Sequence, residues 1–252
     1  MSNIFEIVSL KESQRWDETI KSFPQFDVYY LSGYVKAFKI HGDGEPILIH
    51  YDTECLKGVT VMMKRDIADA SFFSDKIPKK FLFDLVSPYG YGGFIFEGKV
   101  NEENISIFYK QYVNLLKSEN IVSSFVRYHP MLQNADSLRS VEEIIDLGKT
   151  IHIDLTSKDI IWANIDSKNR NVIRKAEKNG VTIHHGKGMD LFDRFMNIYN
   201  QTMAHNEAEN YYYFDRSFYE SIHNDLHDNY EIFYALYEDK IIATSIILFA
   251  NN

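Results

Sequence analysis

Two stretches of the sequence predict the fold: ILIHYDTECLKGVTVMM, residues 47–63, and IFYALYEDKIIATSIIL, residues 232–248. Each contains two apolar runs joined by a short polar connection, a pattern typical of a β-hairpin. The predicted strands are Pro46–Tyr51 with Gly58–Met63, and Glu231–Tyr237 with Ile241–Phe249. Because the two stretches are alike, they indicate two copies of one unit.

The segments before the two hairpins are also alike, since a strand and two helices are predicted in the same order. They are residues 3–8, Ser13–Ile20 and Leu31–Ile40 in the first half, and Val181–His185, Leu191–Met203 and Ser217–Leu226 in the second. A unit of strand, two helices and hairpin that is used twice predicts a mixed α/β protein. We expect the first domain at residues 1–147 and the second at residues 148–252.

The first copy continues beyond its hairpin, whereas the second does not. Phe81–Val86 is predicted as a strand, Ile105–Leu116 as a helix and Val122–Tyr128 as another strand. The second copy has no counterpart to these three elements. We therefore expect an incomplete second domain, in a chain that is either truncated or naturally shortened, because a domain that ends on an open β-edge folds poorly alone.

The composition is that of a globular protein with 45% hydrophobic and 25% charged residues. A formal charge of −9 argues against nucleic-acid binding over the whole surface, so DNA is not an expected partner, although a local basic patch is compatible with it. A single cysteine, Cys55, fits a reducing compartment. The N-terminus lacks a signal-peptide pattern, and the longest apolar stretch, Ile241–Ala250, is about half of a bilayer span. These features predict a cytoplasmic protein without a transmembrane segment.

The most informative polar segment is DSKNRNVIRKAEKNG, residues 166–180. Arg170 and Arg174 recur at four-residue spacing, with lysines nearby, on a helix whose other face is apolar. Guanidinium groups in this arrangement can hold phosphates or a carboxylate. An ordinary solvent-exposed helix face explains the same charge run.

Two turns also carry candidate binding residues. In SPYGYGG, residues 87–93, three glycines permit close backbone approach to a ligand, and Tyr89 and Tyr91 offer aromatic faces. A plain glycine-rich connection explains this turn equally well, and it matches neither common phosphate-binding motif. In RYHP, at a predicted strand end, Arg127 and His129 are candidate polar contacts.

The remaining aromatic and histidine clusters are less specific. Tyr213 belongs to a run of four aromatic residues, 211–214, that either lines a cleft or packs against another domain. His184 and His185 are adjacent on a strand and so face opposite ways, and HNDLH, residues 223–227, lacks the glutamate of a zinc-binding HExxH helix. We expect no metal site.

Six motifs in serial order resemble the FemABX family. SGYVKAF, SPYGYGG and VRYHP resemble parts of its first domain, and SKNRNVIRKAEKNGVTIHHG, IYNQTMAHNEA and EIFYALYEDKIIATSIIL resemble its second domain. The resemblance implies two tandem GNAT-like domains, that is, domains of the acyl-CoA N-acyltransferase type. It agrees with the duplication inferred from the residues.

The resemblance implies an acyltransferase of cell-wall synthesis. Family members transfer an amino acid from aminoacyl-tRNA to an amine of a nucleotide-linked or lipid-linked peptidoglycan precursor, without a resident cofactor. An alternative is a GNAT-type N-acyltransferase that uses acyl-CoA and acts on an amino sugar in surface-polysaccharide synthesis. The coenzyme A signature [QR]xxGx[GA] has its nearest match in IHHGKG, residues 183–188, which begins with Ile and precedes the wrong helix. This favours aminoacyl-tRNA as the donor.

Carried over by position, the family's substrate contacts fall at Lys36 or Lys39, and at Ser124 and His129, where the family pattern can show a tyrosine and an aspartate. An expected arginine falls nearest Phe214, with Arg216 two positions on. The proposed catalytic lysine of the family belongs to the part without a counterpart here, so the resemblance assigns no catalytic residue.

Overall fold

The computed structural model describes residues 4–250 and divides into two compact units. The first unit comprises residues 4–145 together with Phe214–Asn229 and the described residues from Phe249 onward. The second unit comprises Asp146–Tyr213 and Tyr230–Leu248. The predicted boundary between residues 147 and 148 stays a prediction, because a compact unit is not by itself a GNAT-like domain.

The first unit is built around a mixed sheet. Its elements are, in chain order, β1 (Phe5–Ser9), α1 (Ser13–Lys21), α2 (Ser32–His41), β2 (Glu45–Asp52), β3 (Leu56–Asp66), β4 (Phe83–Val86), β5 (Ile95–Gly98), α3 (Glu102–Ser118) and β6 (Ile121–Phe125). The strand order is β1-β2-β3-β4-β6, and β5 also pairs with β3. All pairs are antiparallel except β4 with β6, which are parallel.

One face of this sheet packs against α3. The core joins Ile49 and Met62 of the sheet to Phe108 and Tyr112 of α3, and all four are buried. Burial of each such side chain contributes about 1.5–3 kcal/mol, so α3 is a principal source of stability. On α1, Trp16 and Ile20 are fully buried, as their four-residue spacing predicts.

The second unit contains a smaller sheet. Its elements are α4 (Lys158–Asn164), α5 (Ser167–Lys178), β7 (Thr182–Gly186), α6 (Met189–His205), β8 (Tyr230–Tyr237) and β9 (Lys240–Leu248). The three strands are antiparallel in the order β7-β8-β9. Phe192 of α6 and Tyr230 of β8 are fully buried with their rings 5.2 Å apart, which places the core of this unit between α6 and the sheet.

One helix of the second half, α7 (Arg216–Asp225), belongs to the first unit. It packs on α2 so closely that a Cβ atom on Gly33 would lie 2.5 Å from the carbonyl oxygen of Asp225. Phe38 of α2 and Phe218 of α7 are both buried, with their rings 5.1 Å apart. The first unit is therefore discontinuous in sequence.

Both predicted hairpins form, and the predicted helices and strands are present with shifted ends; residue 3 of the first predicted strand lies outside the described residues. The strand at 122–128 ends earlier, at Phe125, because the chain then turns to bond with the SPYGYGG turn: the N–H of Arg127 donates to Ser87 Oγ (3.1 Å), and the N–H of Gly92 donates to the carbonyl of Arg127 (2.8 Å). The sequence did not predict β5 or α4. Among residues 4–250, no helix is both long and apolar enough to cross a membrane.

Candidate substrate-binding site

The SPYGYGG turn joins β4 to β5 and lies against two tyrosine rings. Gly90 has a φ of +103°, and a Cβ atom there would lie 2.3 Å from Cε1 of Tyr29. Gly93 has a φ of +96°, and its Cβ atom would lie 2.7 Å from Cδ1 of Tyr128. Glycine adopts a positive φ readily and has no Cβ atom to collide with a neighbouring ring. These two glycines therefore permit the close approach of the turn to the tyrosines.

Aromatic rings from four segments gather beside this turn. We name them, together with one carboxylate, the tyrosine site: Asp27, Tyr29, Tyr34, Tyr89, Tyr91 and His129. Tyr29 is at its centre, with its ring centroid 5.1 Å from that of Tyr34 and 5.7 Å from that of Tyr91, both edge to face. The ring of His129 lies 5.4 Å from Tyr91. Edge-to-face aromatic pairs fix ring orientation as well as burying area.

The backbone around the site is held by hydrogen bonds from neighbouring tyrosines. The hydroxyl of Tyr34 donates to the carbonyl of Tyr89 (2.6 Å), and the hydroxyl of Tyr30 donates to the carbonyl of Gly93 (3.0 Å). The Nδ2 of Asn134 donates to the Tyr30 hydroxyl (3.2 Å) and to the carbonyl of Gly92 (2.9 Å). These bonds tie the turn to the segment before α2.

His129 orients Asp27. The Nδ1 atom of His129 accepts from the backbone N–H groups of Met131 and Leu132, both at 3.2 Å, so the ring proton resides on Nε2. Nε2 then donates to Oδ2 of Asp27 at 2.9 Å. The His129 side chain is only 5% exposed, whereas the Asp27 side chain is 33% exposed. Both ring nitrogens are therefore engaged, and Asp27 is the more accessible member of the pair.

The hydroxyl group of Tyr29 remains protonated at neutral pH. Burial, together with the nearby carboxylate of Asp27 and the hydroxyls of Tyr91 and Tyr89, raises the pKa of Tyr29 to about 12. A phenol that keeps its proton can both donate and accept a hydrogen bond. The site thus combines the protonated hydroxyl of Tyr29 with one carboxylate.

The two lysines predicted to contact substrate are paired with carboxylates. Lys36 Nζ lies 2.8 Å from Asp225 of α7, and Lys39 Nζ lies 2.6 Å from Glu45. With their charges compensated, they offer less attraction to a phosphate than free cations would. The tyrosine site is better suited to a ligand that carries N–H donors or a positive charge, held by the carboxylate and by aromatic faces.

Comparison with known proteins identifies the family of the chain. The model of the FemAB-like family, described as peptidoglycan biosynthesis/recognition, matches residues 89–252, which is more than half of the chain. The chain belongs to the FemAB-like family. A crystal structure of FemX matches with a TM-score of 0.56 and 16% sequence identity over 91% of this chain. No curated protein matches.

The similarity to FemX confirms the predicted mixed α/β fold, and the match to the family model confirms the predicted FemABX membership. This FemAB-like chain spans 57% of the length of the FemX chain. The family match begins at Tyr89, inside the SPYGYGG turn, and includes His129. Part of the tyrosine site thus lies in the matched segment.

The predicted site residues of the first unit fall into two groups. Tyr89, Tyr91 and His129 come together in the tyrosine site. Ser124 is exposed on β6 and hydrogen bonds with the phenol of Tyr112, and the Arg127 side chain is exposed while its backbone bonds the turn. The structure does not bring these two residues into the group of rings.

Arg170 and Arg174, both on α5, have different surroundings. The Nη1 atom of Arg170 donates to the carbonyls of Trp162 (3.2 Å), Ala163 (3.3 Å) and Ile165, at the end of α4. Arg170 therefore caps α4. Arg174 is exposed, and its guanidinium lies 5.2 Å from the centre of the Trp162 ring.

Tyr213 and Arg216 stand at the start of α7. Tyr213 is half-buried, and its N–H donates to the carbonyl of Asn210 (3.1 Å). Arg216 is exposed and paired with Glu220 one turn later on the same helix. Ion pairs at this spacing are common features of helix surfaces, so neither residue has a geometry that identifies a ligand.

The sequence analysis missed Asp27 and Tyr29. Their segment, DVYYL at residues 27–31, resembles an ordinary start of a helix, with Asp27 as the capping residue. Asp27 and His129 are 102 positions apart, so no local pattern could join them. Within residues 4–250 there is no group of three or more His, Cys, Asp or Glu side chains that could hold a metal ion.

Proposed function

We propose that this protein takes part in aminoacyl transfer from aminoacyl-tRNA to an amine of a peptidoglycan precursor. The observation that carries the proposal is the tyrosine site, in which His129 orients the partly exposed carboxylate of Asp27 among tyrosine rings. An amine acceptor carries N–H donors and is charged at neutral pH. A carboxylate beside aromatic faces fits such a group.

The chemistry requires mainly that the acceptor be positioned. The amine nitrogen attacks the carbonyl carbon of the aminoacyl ester, a C–N bond forms, and the C–O bond to the tRNA ribose breaks. The charged amine first gives one proton to solvent, the attacking nitrogen then loses a second proton, and the ribose oxygen takes one up. Positioning alone supplies a large part of the rate in such reactions. We assign Asp27 to hold the amine, and we assign no general base.

The partners follow from this reaction class. The acceptor is a nucleotide-linked or lipid-linked precursor, the donor is aminoacyl-tRNA, and no resident cofactor is required. Because nucleotide-linked precursors and aminoacyl-tRNA are cytoplasmic molecules, we place the protein in the cytoplasm. An acyl-CoA-dependent acyltransferase that modifies an amino sugar is the alternative.

The test compares two precursors that differ by one charge. Binding of the UDP-linked muramyl pentapeptide with a free stem amine is measured by calorimetry against the same compound acetylated on that amine. We expect about a tenfold preference for the free amine, because a charge-assisted hydrogen bond contributes about 1.5 kcal/mol or more. Equal affinity for the two compounds would contradict the role of the tyrosine site.

Two variants test whether the preference for the free amine arises from Asp27. Asp27→Asn keeps the shape of the side chain and removes its charge, so we expect the preference for the free amine to disappear. Glu45→Gln removes an equal charge from an exposed ion pair of the same unit and should leave the preference unchanged. Stabilisation by coenzyme A or acetyl-coenzyme A in a thermal-shift assay would favour the alternative instead.

A further inference from the structure

A long loop, residues 67–82, connects β3 to β4 in the first unit. Its two ends are held together, because Asp66 and Phe83 are paired in the sheet and the N–H of Lys80 donates to Oδ2 of Asp66 at 2.7 Å. Ala68, at the base of the loop, is fully buried. Hairpin connections usually need only about two to five residues, and longer loops with such a compact base are often functional. We name residues 67–82 the aromatic loop.

The aromatic loop presents phenylalanine rings to solvent. Phe72, Phe73 and Phe81 are 68%, 36% and 56% exposed. The rings of Phe72 and Phe73 pack edge to face with their centroids 4.9 Å apart, and the ammonium of Lys76 lies 3.4 Å from the centre of the Phe72 ring. The backbone beneath them forms a defined turn, since the N–H of Phe73 donates to the carbonyl of Ala70 at 2.8 Å. Neighbouring exposed rings of this size indicate an interaction surface.

Lysines accompany these rings. The aromatic loop has three lysines against two aspartates, in a chain whose net charge is −9. Lys79 is paired with Asp69, whereas in the part of the chain that the structure describes Lys76, Lys80 and Asp75 form no ion pair. Apolar rings beside available ammonium groups suit a lipid bilayer, because the rings can enter the apolar layer while the lysines extend to the headgroup phosphates.

The area of the exposed rings distinguishes a bilayer from a protein partner. Together the three rings expose on the order of 300 Å². This is less than half of the roughly 800 Å² that each partner contributes to a stable protein interface. A second copy of the chain would therefore find too little apolar surface here. A bilayer requires no complementary shape, and a few bulky side chains at the headgroup boundary are enough for reversible binding.

The aromatic loop and the tyrosine site lie at opposite ends of β4. The loop leads into β4 at Phe83, and the strand ends at Val86, directly before the SPYGYGG turn. Four residues of a strand span about 13 Å. A lipid surface in contact with the aromatic loop therefore leaves the tyrosine site uncovered.

We propose that the aromatic loop is a lipid-binding surface that attaches the protein reversibly to an anionic bilayer. Phe72 and Phe73 enter the boundary between headgroups and acyl chains, and Lys76 and Lys80 contact lipid phosphates. The inference rests on the loop alone and does not depend on the proposed function.

The test is co-sedimentation of the full chain with vesicles made of equal parts of phosphatidylethanolamine and phosphatidylglycerol. Phe72→Ser/Phe73→Ser should lower the partition coefficient by about tenfold or more, because the transfer of apolar area from water favours binding. Lys76→Gln/Lys80→Asn should lower it by about fivefold for each lysine, the usual contribution of a cation near an anionic surface. Lys80 has a φ of +60°, which asparagine adopts readily, so this variant should remain folded.

A matched control separates the aromatic loop from exposed apolar residues in general. Phe125→Thr/Ile107→Gln removes two exposed side chains of the same unit, on β6 and α3. We expect its partition coefficient to match that of the wild type. An equal loss in this variant and in Phe72→Ser/Phe73→Ser, or no vesicle binding by the wild type, would overturn the proposal. So would a wild-type dimer that Phe72→Ser/Phe73→Ser converts to a monomer in size-exclusion chromatography, because the rings would then belong to an interface between copies.

Tryptophan fluorescence locates the contact with lipid. Phe72→Trp adds an exposed indole to a chain whose own tryptophans, Trp16 and Trp162, lie outside the aromatic loop. Relative to the wild type, we expect vesicles to shift the added emission to shorter wavelength, and lipids brominated on their acyl chains to quench it. Phe125→Trp should show neither change. Emission from Phe72→Trp that stays unchanged on bound vesicles would contradict the assigned surface. Because none of these measurements uses the precursor, failure of this proposal is distinguishable from failure of the tyrosine site.

Discussion

Each of the two units contains three consecutive antiparallel strands in the same order, β1-β2-β3 in the first and β7-β8-β9 in the second. The surroundings of the two sets of strands differ. In the first unit, the face of β1, β2 and β3 that carries Ile49 is covered by α3. In the second unit, one face of β7, β8 and β9 carries Ile183, Phe233 and Ile247, which are 66%, 38% and 46% exposed. The strands have similar sequences. In the first sheet the opposite face is buried as well, at Leu48, Val61 and Met63, whereas the described part of the second unit leaves one face of its sheet exposed.

This difference shows that the residues that specify strand pairing are distinct from the helices that stabilise the resulting sheet. Alternating apolar residues are sufficient to specify pairing and register in both units. The stability of each sheet depends in addition on the helices that bury those residues, and three strands with one covered face are close to the minimum for an independent sheet. We therefore expect core substitutions to have unequal effects in the two units.

The largest expected effect is on the covered face. Phe108→Ala removes a fully buried ring of α3 and should lower the free energy of unfolding by about 3–5 kcal/mol. Phe233→Ala removes a partly exposed ring in the second unit and should cost less than about 1 kcal/mol. Urea denaturation followed by circular dichroism measures both. Similar losses for the two variants would show that the exposed face is covered in solution.

Two glycines with positive φ, Gly90 in the first unit and Gly180 in the second, allow the same comparison of stability to be made for turns. Gly90→Ala places a side chain at a φ of +103° and against the Tyr29 ring, and we expect a loss of about 3 kcal/mol together with weaker precursor binding. Gly180 follows α5 with a φ of +86°, but beyond its chain neighbours no atom lies within 4 Å of the position that a methyl group would take. Gly180→Ala should therefore cost only the backbone strain, about 1 kcal/mol.

Thermal denaturation of both glycine variants, with precursor titration of the folded protein, checks this prediction. If Gly90→Ala lowers the stability no more than Gly180→Ala does, the Tyr29 ring moves easily to make room for the new methyl group. The tyrosine site would then be adaptable instead of fixed. Precursor affinity should be unchanged in Gly180→Ala in either case, because that residue lies in the second unit.

The smallest effect concerns pH. Burial raises the pKa of Glu142 above its ordinary 4.5, more than the hydrogen bond with Tyr128 lowers it. The folded state therefore binds this proton more tightly than the unfolded chain does. The resulting stabilisation is complete below the ordinary pKa and is lost as pH rises through the folded-state pKa.

Glu142→Gln should remove that dependence. We expect the stability of the wild type relative to Glu142→Gln to fall in urea titrations as the pH rises above about 4, near the ordinary carboxyl pKa. In the second unit, Glu231 pairs with the exposed His185, and Glu231→Gln should change stability by less than about 1 kcal/mol. If the wild type instead gains stability relative to Glu142→Gln as the pH rises, the burial of the Glu142 carboxyl group is contradicted.

The sequence predicted the hairpins and most helices because their signals are periodic and local. It missed β5, which has four residues after a glycine-rich turn, and α4, which has seven residues and whose capping Ser157 was the available signal. In the site, the glycines of SPYGYGG identified Tyr89 and Tyr91. Asp27 could not be found, because its importance arises from a contact with the distant His129.

Arg170 illustrates the same limit. Its spacing with Arg174 predicts a common role, and both side chains do lie on α5. Only the structure shows that one guanidinium caps α4 while the other packs over an indole ring. Charge patterns thus indicate where cations are, whereas the number that remain available to a ligand depends on tertiary contacts.

The position of α7 in the first unit has a consequence for synthesis of the protein on the ribosome. When residue 147 has been added, every strand of the first sheet exists, but α7 follows on the order of ten seconds later at ordinary elongation rates. Until then, the surface of α2 around Gly33 and Phe38 lacks its partner. The nascent first unit is therefore completed only when most of the chain has been made, which makes this surface a natural target for chaperones.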